Sequence, residues 1–236
     1  MGTAPTNRAR TLVLCALTAL MTIGVHAMAG DAAAGQPANW RITIRDFAAQ
    51  HFKHPAWGYS HCVRDYVLAK ELASADRTRL DDDVLYAAAY LHDMAAFAPW
   101  DREKEGIDHA DEAARIVDTV LRGTGFPMEK IDAVRNAIRT HMFDRTPVGP
   151  EAVYLHDADA LDWLGAIGVA RIMALVDPNG GDPDGLAAAK MLEDNLAKVP
   201  ARVISPAGRR RVPRLKAELA DYLKDLRRET DDLRTL

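Results

Sequence analysis

Beyond residue 40 the apolar residues recur at spacings of three and four, and no stretch alternates apolar with polar. That period belongs to helices that turn one face to a core, so the chain is read as all-α. Helices are expected over residues 42–52, 61–73 and 82–98, the last stopped by Pro99. A fourth, capped by Asp108, carries Ile116, Val117, Val120 and Leu121 on its apolar face and ends at Gly123 and Gly125. A fifth starts at Pro127 and aligns Ile131, Val134, Ile138 and His141. One long helix follows over residues 153–176, then helices over 186–198 and 214–233, with a basic loop at Arg209, Arg210 and Arg211 between them. No glycine-rich phosphate loop follows a strand, which excludes the nucleotide-binding α/β folds.

The first 39 residues read differently. Arg8 and Arg10 form a short basic region, and an apolar stretch over residues 11–25 follows, the length of a signal segment and short for a membrane span. Ala27-Met28-Ala29 offers the small-x-small pattern of a cleavage site. The expectation is a signal peptide over residues 1–29, a linker over 30–39 and one domain over 40–236, exported to the periplasm and left with no membrane span. An uncleaved anchor is the alternative. Cleavage removes Arg8 and Arg10 and no acid, so the net charge moves from -4 to -6. An acidic chain gives no broad surface for nucleic acid. Only Cys62 then remains of the two cysteines, so no intrachain disulfide can form.

Within the domain, 48% of the whole chain being apolar leaves ample material for a core. The informative residues are the polar ones on apolar faces. They are His61, His92 with Asp93, His109, His141, and the cluster Asp157, Asp159 and Asp162. A buried polar group is costly without a partner. One buried histidine is ordinary, but here five successive helices each bring such a group inward. A metal ion accounts for all of them, because imidazole nitrogen and carboxylate oxygen are good donors to Mn, Fe, Ni or Zn.

The ordered set resembles the HD superfamily of metal-dependent phosphohydrolases. The resemblance rests on His61 in GYSHCVRDYVLAKELA, on His92-Asp93 in LYAAAYLHDMAAF, and on a distal acid in DADALDWLGAIGVAR. It covers residues 55–230 and is nearest the bacterial subgroup related to nucleotide pyrophosphatases. The resemblance implies an all-α HD-domain helical bundle with a metal site between the helices. By matching, His61, His92, Asp93 and Asp159 take the ligand positions. Asp159 is chosen over Asp157 for the residues that follow it, and the choice between them stays open. The cofactor implied is a divalent ion, Mn, Ni, Zn, Mg or Fe. His109 and His141 stand where a second ion or a phosphate would be met.

The chemistry implied is hydrolysis of a phosphoester or phosphoanhydride bond in a nucleotide or another small phosphorylated substrate. The ion brings the pKa of bound water to about 7, with Asp93 on the side of the attacking water. Arg64, three residues after His61, shares its helix face and is the expected phosphate contact and catalytic cation. Arg171 and Lys190 are further substrate-binding candidates. Asp157 and Asp162 are expected to orient the histidines. Two other readings remain: a di-iron oxygenase of the same cage, and a metal-binding or ligand-binding HD module without catalysis. Oligomeric state is not legible.

Overall fold

The structure is a computed structural model and describes residues 39–236. The expected signal peptide and all of the expected linker but Asn39 lie outside the described residues. Nine α-helices and no strand are present among the described residues. They are α1 (Trp40–His51), α2 (Tyr59–Ala75), α3 (Asp82–Leu91), α4 (His109–Leu121), α5 (Ile131–Arg139), α6 (Pro150–Asp162), α7 (Gly165–Met173), α8 (Gly185–Lys198) and α9 (Pro206–Glu229).

The centre is the pair α2 and α6, which lie against each other, with α3 packed on both. Val84 to Leu91 of α3 are all buried, so this helix is surrounded rather than half-exposed. α4 and α5 pair on one side of α3, and α7, α8 and α9 form a second group beyond α6. Capping follows the sequence. Asp108 accepts the N–H groups of Ala110 and Asp111 at the start of α4, at 2.9 and 3.0 Å. No described helix is long and apolar enough to cross a membrane.

Three segments differ from the periodicity. The helix expected over residues 82–98 stops at Leu91, and a short 3-10 turn over Met94–Ala96 follows. The expected helix over 153–176 is two helices, α6 and α7, broken at Trp163 and Leu164. Gly165 takes φ +60°, which ends the α-helical path, and a Cβ on Gly168 would fall 2.3 Å from the carbonyl oxygen of Trp163. Arg209, Arg210 and Arg211 lie in α9 rather than in a loop. The start signal is Ser205, whose hydroxyl accepts the N–H of Gly208 at 3.0 Å, followed by Pro206 in the first turn. Pro213 lies within this helix.

Candidate metal centre

Local structure aims the polar side chains inward. His61 sits in the first turn of α2, and Asp65, four residues on, shares its face. His92 and Asp93 lie just past the end of α3. His109 opens α4, while His141 follows α5 by two residues instead of belonging to it. Asp159 and Asp162 are three apart on α6, again on one face.

Three of the histidines are anchored by the same device. Nδ1 of His61 lies 2.9 Å from Oδ2 of Asp162. Nδ1 of His92 lies 2.9 Å from the Ala89 carbonyl oxygen, and Nδ1 of His141 lies 2.6 Å from that of Ile138. Carbonyl and carboxylate oxygens only accept, so each Nδ1 is the donor. In the neutral ring Nε2 then carries a lone pair and faces inward.

Those Nε2 atoms converge. His61 and His92 face each other at 3.3 Å. Oδ2 of Asp65 lies 3.1 Å from His61 Nε2 and 3.7 Å from His92 Nε2. Oδ2 of Asp93 lies 3.7 and 3.3 Å from the same two atoms, and Oδ1 of Asp159 lies 3.3 Å from His61. On its other side Asp93 presents Oδ1 at 3.5 Å from Nε2 of both His109 and His141. His61, Asp65, His92 and Asp159 form one potential ligand group, and His92, Asp93 and His141 a second.

Facing lone pairs and clustered carboxylates are unfavourable when buried unless a cation lies among them. Neither oxygen of Asp65 has a hydrogen-bond partner, although the residue is 0% exposed. The residues present therefore fit a divalent ion, whose donors would be nitrogen and oxygen. Proton affinities carry the same imprint. Burial by itself lowers His61, but the Asp65 carboxylate, with Asp159 and Asp162, outweighs it and lifts the imidazole to about 10. Burial pushes Asp65 well above the usual carboxylate range. Burial opposes ionisation of Asp93 too, yet His92, His109 and His141 together hold it well below that range. Without an ion, protons take up the role of the missing positive charge.

Asp162 is the hub beneath the cage. Besides His61 it receives both Nε and Nη2 of Arg64, each at 2.8 Å, and Nη1 of Arg171 at 3.0 Å. Two substrate-binding expectations are corrected here. Arg171 is buried, donates to the Ala56 carbonyl at 2.6 Å and lies over the Trp163 ring at 3.5 Å. Arg64 spends its guanidinium bidentately on Asp162. Asp157 is corrected as well: it orients no histidine. Its two oxygens accept the N–H groups of Ile204 and Ser205 at 2.9 and 2.7 Å, holding the approach to α9. Two residues along a helix turn the side chain about 200°, which is why Asp159 faces the cage and Asp157 faces away.

A cavity of about 530 Å³ opens over Asp93, His109, His141 and Asp159. Trp57, Phe143 and Trp163 supply aromatic wall, and Met191 and Asn195 of α8 close another side. Asp101, Glu103 and Asp108 make part of its rim acidic. Among the described residues no lysine or arginine lines it, and this corrects Lys190, which is exposed on α8 beside Met191. Arg145 near the rim is bound to Asp108 and Asp111. Asp65, Met191 and Asn195 escaped the sequence reading. The signal for Asp65 was present, because an acid four residues after His61 sits on the same apolar stripe.

An all-helical domain with a buried His/Asp cage under an open pocket defines a class of helical metal-site domains. Residues 58–164, the segment from α2 through α6, match the HD domain family, and this segment is an HD domain. No curated protein matches it. Among solved structures, a Lactobacillus plantarum protein is 21% identical over 82% of this chain and 98% of its own, with a TM-score of 0.60. Bacillus subtilis YpgQ in complex with ADP is 19% identical over 80% of this chain and 97% of its own, with a TM-score of 0.60. An HD-superfamily hydrolase from Bacillus thuringiensis is 21% identical over 73% of this chain and 86% of its own, with a TM-score of 0.52. At these identities the likeness establishes a shared fold.

Proposed function

We propose that this chain hydrolyses a phosphoester or phosphoanhydride bond of a small phosphorylated substrate, with His61, His92, Asp93 and Asp159 holding a divalent ion. One observation carries the reading. The two oxygens of Asp93 address two sets of histidines, His61 with His92 and His109 with His141, at the floor of an open cavity. A bound divalent ion supplies Lewis acidity there, acidifying water and polarising a phosphoryl oxygen.

The chain's own residues do the rest. Asp162 holds the tautomer of His61, and the Ala89 and Ile138 carbonyls hold those of His92 and His141. Asp93 stays ionised because three imidazoles outweigh its burial. His109 is 29% exposed at the pocket wall, and Asp93 raises its proton affinity beyond what burial removes. It is therefore placed to present positive charge to a phosphoryl oxygen. With no lysine or arginine in the described lining, His109 and His141 share that duty with the bound cation, or hold a second ion. The organic part of the substrate rests against Trp57, Phe143 and Met191. A nucleotide is the proposed class, supported by flat aromatic wall and by the shared fold of YpgQ in complex with ADP.

The test is a panel of phosphoesters and nucleotides with added Mn, repeated after chelation and with Asp93→Ala. Metal-dependent turnover that disappears in the variant is expected. Turnover unchanged in Asp93→Ala removes the site. Two bound irons in the protein as purified, with no hydrolysis, would instead support the oxygenase reading. We also propose export, supported by the basic and apolar segments ahead of residue 30. N-terminal sequencing from the native host tests it, and an intact Met1 on a protein in the cytoplasm overturns it.

A further inference from the structure

We infer that Asp65 is itself a ligand of the ion in the cage, so that the site holds one more carboxylate than the resemblance to HD phosphohydrolases implies. The inference rests on the reading of the cage as a metal site and adds a donor to it. Asp65 is fully buried in the middle of α2, and no hydrogen bond satisfies either of its oxygens. A buried carboxylate without donors costs several kcal/mol in stability. Such a group is hard to account for as a packing residue, since an aliphatic side chain of similar size would be cheaper at that position.

The surroundings account for it as a donor atom. Oδ2 lies 3.1 Å from Nε2 of His61 and 3.7 Å from Nε2 of His92. His61 to His92 is 3.3 Å, and His61 to Asp159 Oδ1 is 3.3 Å. All four donor atoms lie within 4.8 Å of one another. Donors about 2.1 Å from one ion in octahedral array stand about 3.0 Å apart when adjacent and about 4.2 Å when opposed. The four separations just given, from 3.1 to 3.7 Å, fall in that range. The competing role for Asp65, a charge partner that only steadies His61, is already filled. Asp162 holds the opposite edge of that ring through Nδ1 and is itself paired with Arg64 and Arg171. Asp65 faces the other nitrogen, the one turned to the ion.

Its chemistry also differs from that of the pocket acids. Asp101, Glu103 and Asp108 stand at the cavity rim, whereas Asp65 lines no part of it. It would contribute to holding the ion without meeting the substrate. With Asp93 and Asp159 it makes three carboxylates against two imidazoles around one position, an oxygen-rich set that suits a hard cation.

The experiment uses the full chain, stripped by chelation and titrated with Mn(II), with binding followed by the electron paramagnetic resonance signal of free and bound ion. Thermal melts of the metal-free protein accompany each titration. The variants are Asp65→Asn, Asp65→Val and Asp162→Asn. A group that only orients a ligand typically costs 10- to 100-fold in metal affinity. Asp65→Asn is expected to lose more than Asp162→Asn and to change the spectrum of the bound ion. Metal-free Asp65→Val reports how much the carboxylate steadies His61 in the absence of the ion. Wild-type affinity and spectrum in Asp65→Asn overturn the inference. So does a metal-free Asp65→Val that melts lower while Asp65→Asn binds no worse than Asp162→Asn, because that is the pattern of a structural partner. No Mn binding by the wild type overturns both this inference and the metal-site reading. Binding without turnover leaves this one standing and overturns only the proposed hydrolysis.

Discussion

Nε2 of His92 lies 3.3 Å from Oδ2 of Asp93, its neighbour in the chain. Successive side chains on a helix diverge by about 100°, so two neighbours on a continuing helix would not meet this closely. The chain resolves this by ending α3 at Leu91 and turning at Asp93, with φ -95° and ψ 9°, before a short 3-10 segment. The early stop of α3 is thus part of the construction of the cage.

Asp162 transmits the positions of Arg64 and Arg171 to His61. Asp162→Ala should weaken metal binding by about 10- to 100-fold while leaving every proposed ligand in place. Arg171→Met should do less, because Arg64 still holds Asp162 bidentately. Isothermal titration with Mn(II) measures both. Equal losses in the two variants would contradict this order.

The metal-free protein should lose stability as pH rises from 6.5 to about 10. His61 is ordinarily at 6.5 and is lifted in the fold to about 10, against burial, by Asp65 and its neighbours. A raised value stabilises the fold fully below 6.5 and ceases to do so as pH passes the folded value. Asp65, raised by burial, acts in the same direction. Asp93 and Asp162 are lowered, so their contribution is constant above the ordinary carboxylate value of 3.8 and fades only in acid. Added Mn should reverse the trend, because deprotonated His61 is the form that binds it. Melting curves at pH 6, 8 and 10, about two units apart, with and without Mn, provide the check. A metal-free protein that grows more stable across this interval would refute it.

Asp157 should matter to the fold and not to the ion. Asp157→Ala strands the buried N–H of Ser205 and that of Ile204, a cost of about 1–3 kcal/mol. For a chain of this size each kcal/mol lowers the melting temperature by about 2–4 °C. Metal affinity at a temperature where the variant is folded should match the wild type. A selective loss of metal would place Asp157 in the cage after all.

Gly168→Ala should disturb the joint between α6 and α7. Its Cβ would meet the Trp163 carbonyl, which must move. Overpacking of this kind costs about 1–3 kcal/mol. Trp163 lines the cavity and carries Arg171 on one face, so KM should rise more than kcat falls. A KM that does not move would mean that the joint relaxes without shifting the wall.

The sequence by itself determined the class of fold and most of the cage. Helical spacing put His61, His92 and the cluster Asp157, Asp159 and Asp162 on apolar faces, because a period of 3.6 is a local property, while the preference for Asp159 within the cluster came from the resemblance. Other features depended on contacts between distant segments. Arg64 follows His61 at a spacing that suits a substrate contact, but Asp162 sits close enough to take both it and Arg171. Asp65 stands one helical turn from His61, yet only the packing of α3 and α6 against α2 shows that no donor meets it. The break at Trp163 is likewise decided by a carbonyl pressed against Gly168, where backbone sterics outweigh a continuous apolar stripe. Periodicity says which way a side chain turns. What waits there, a cation, an acid or another backbone, is decided by tertiary structure.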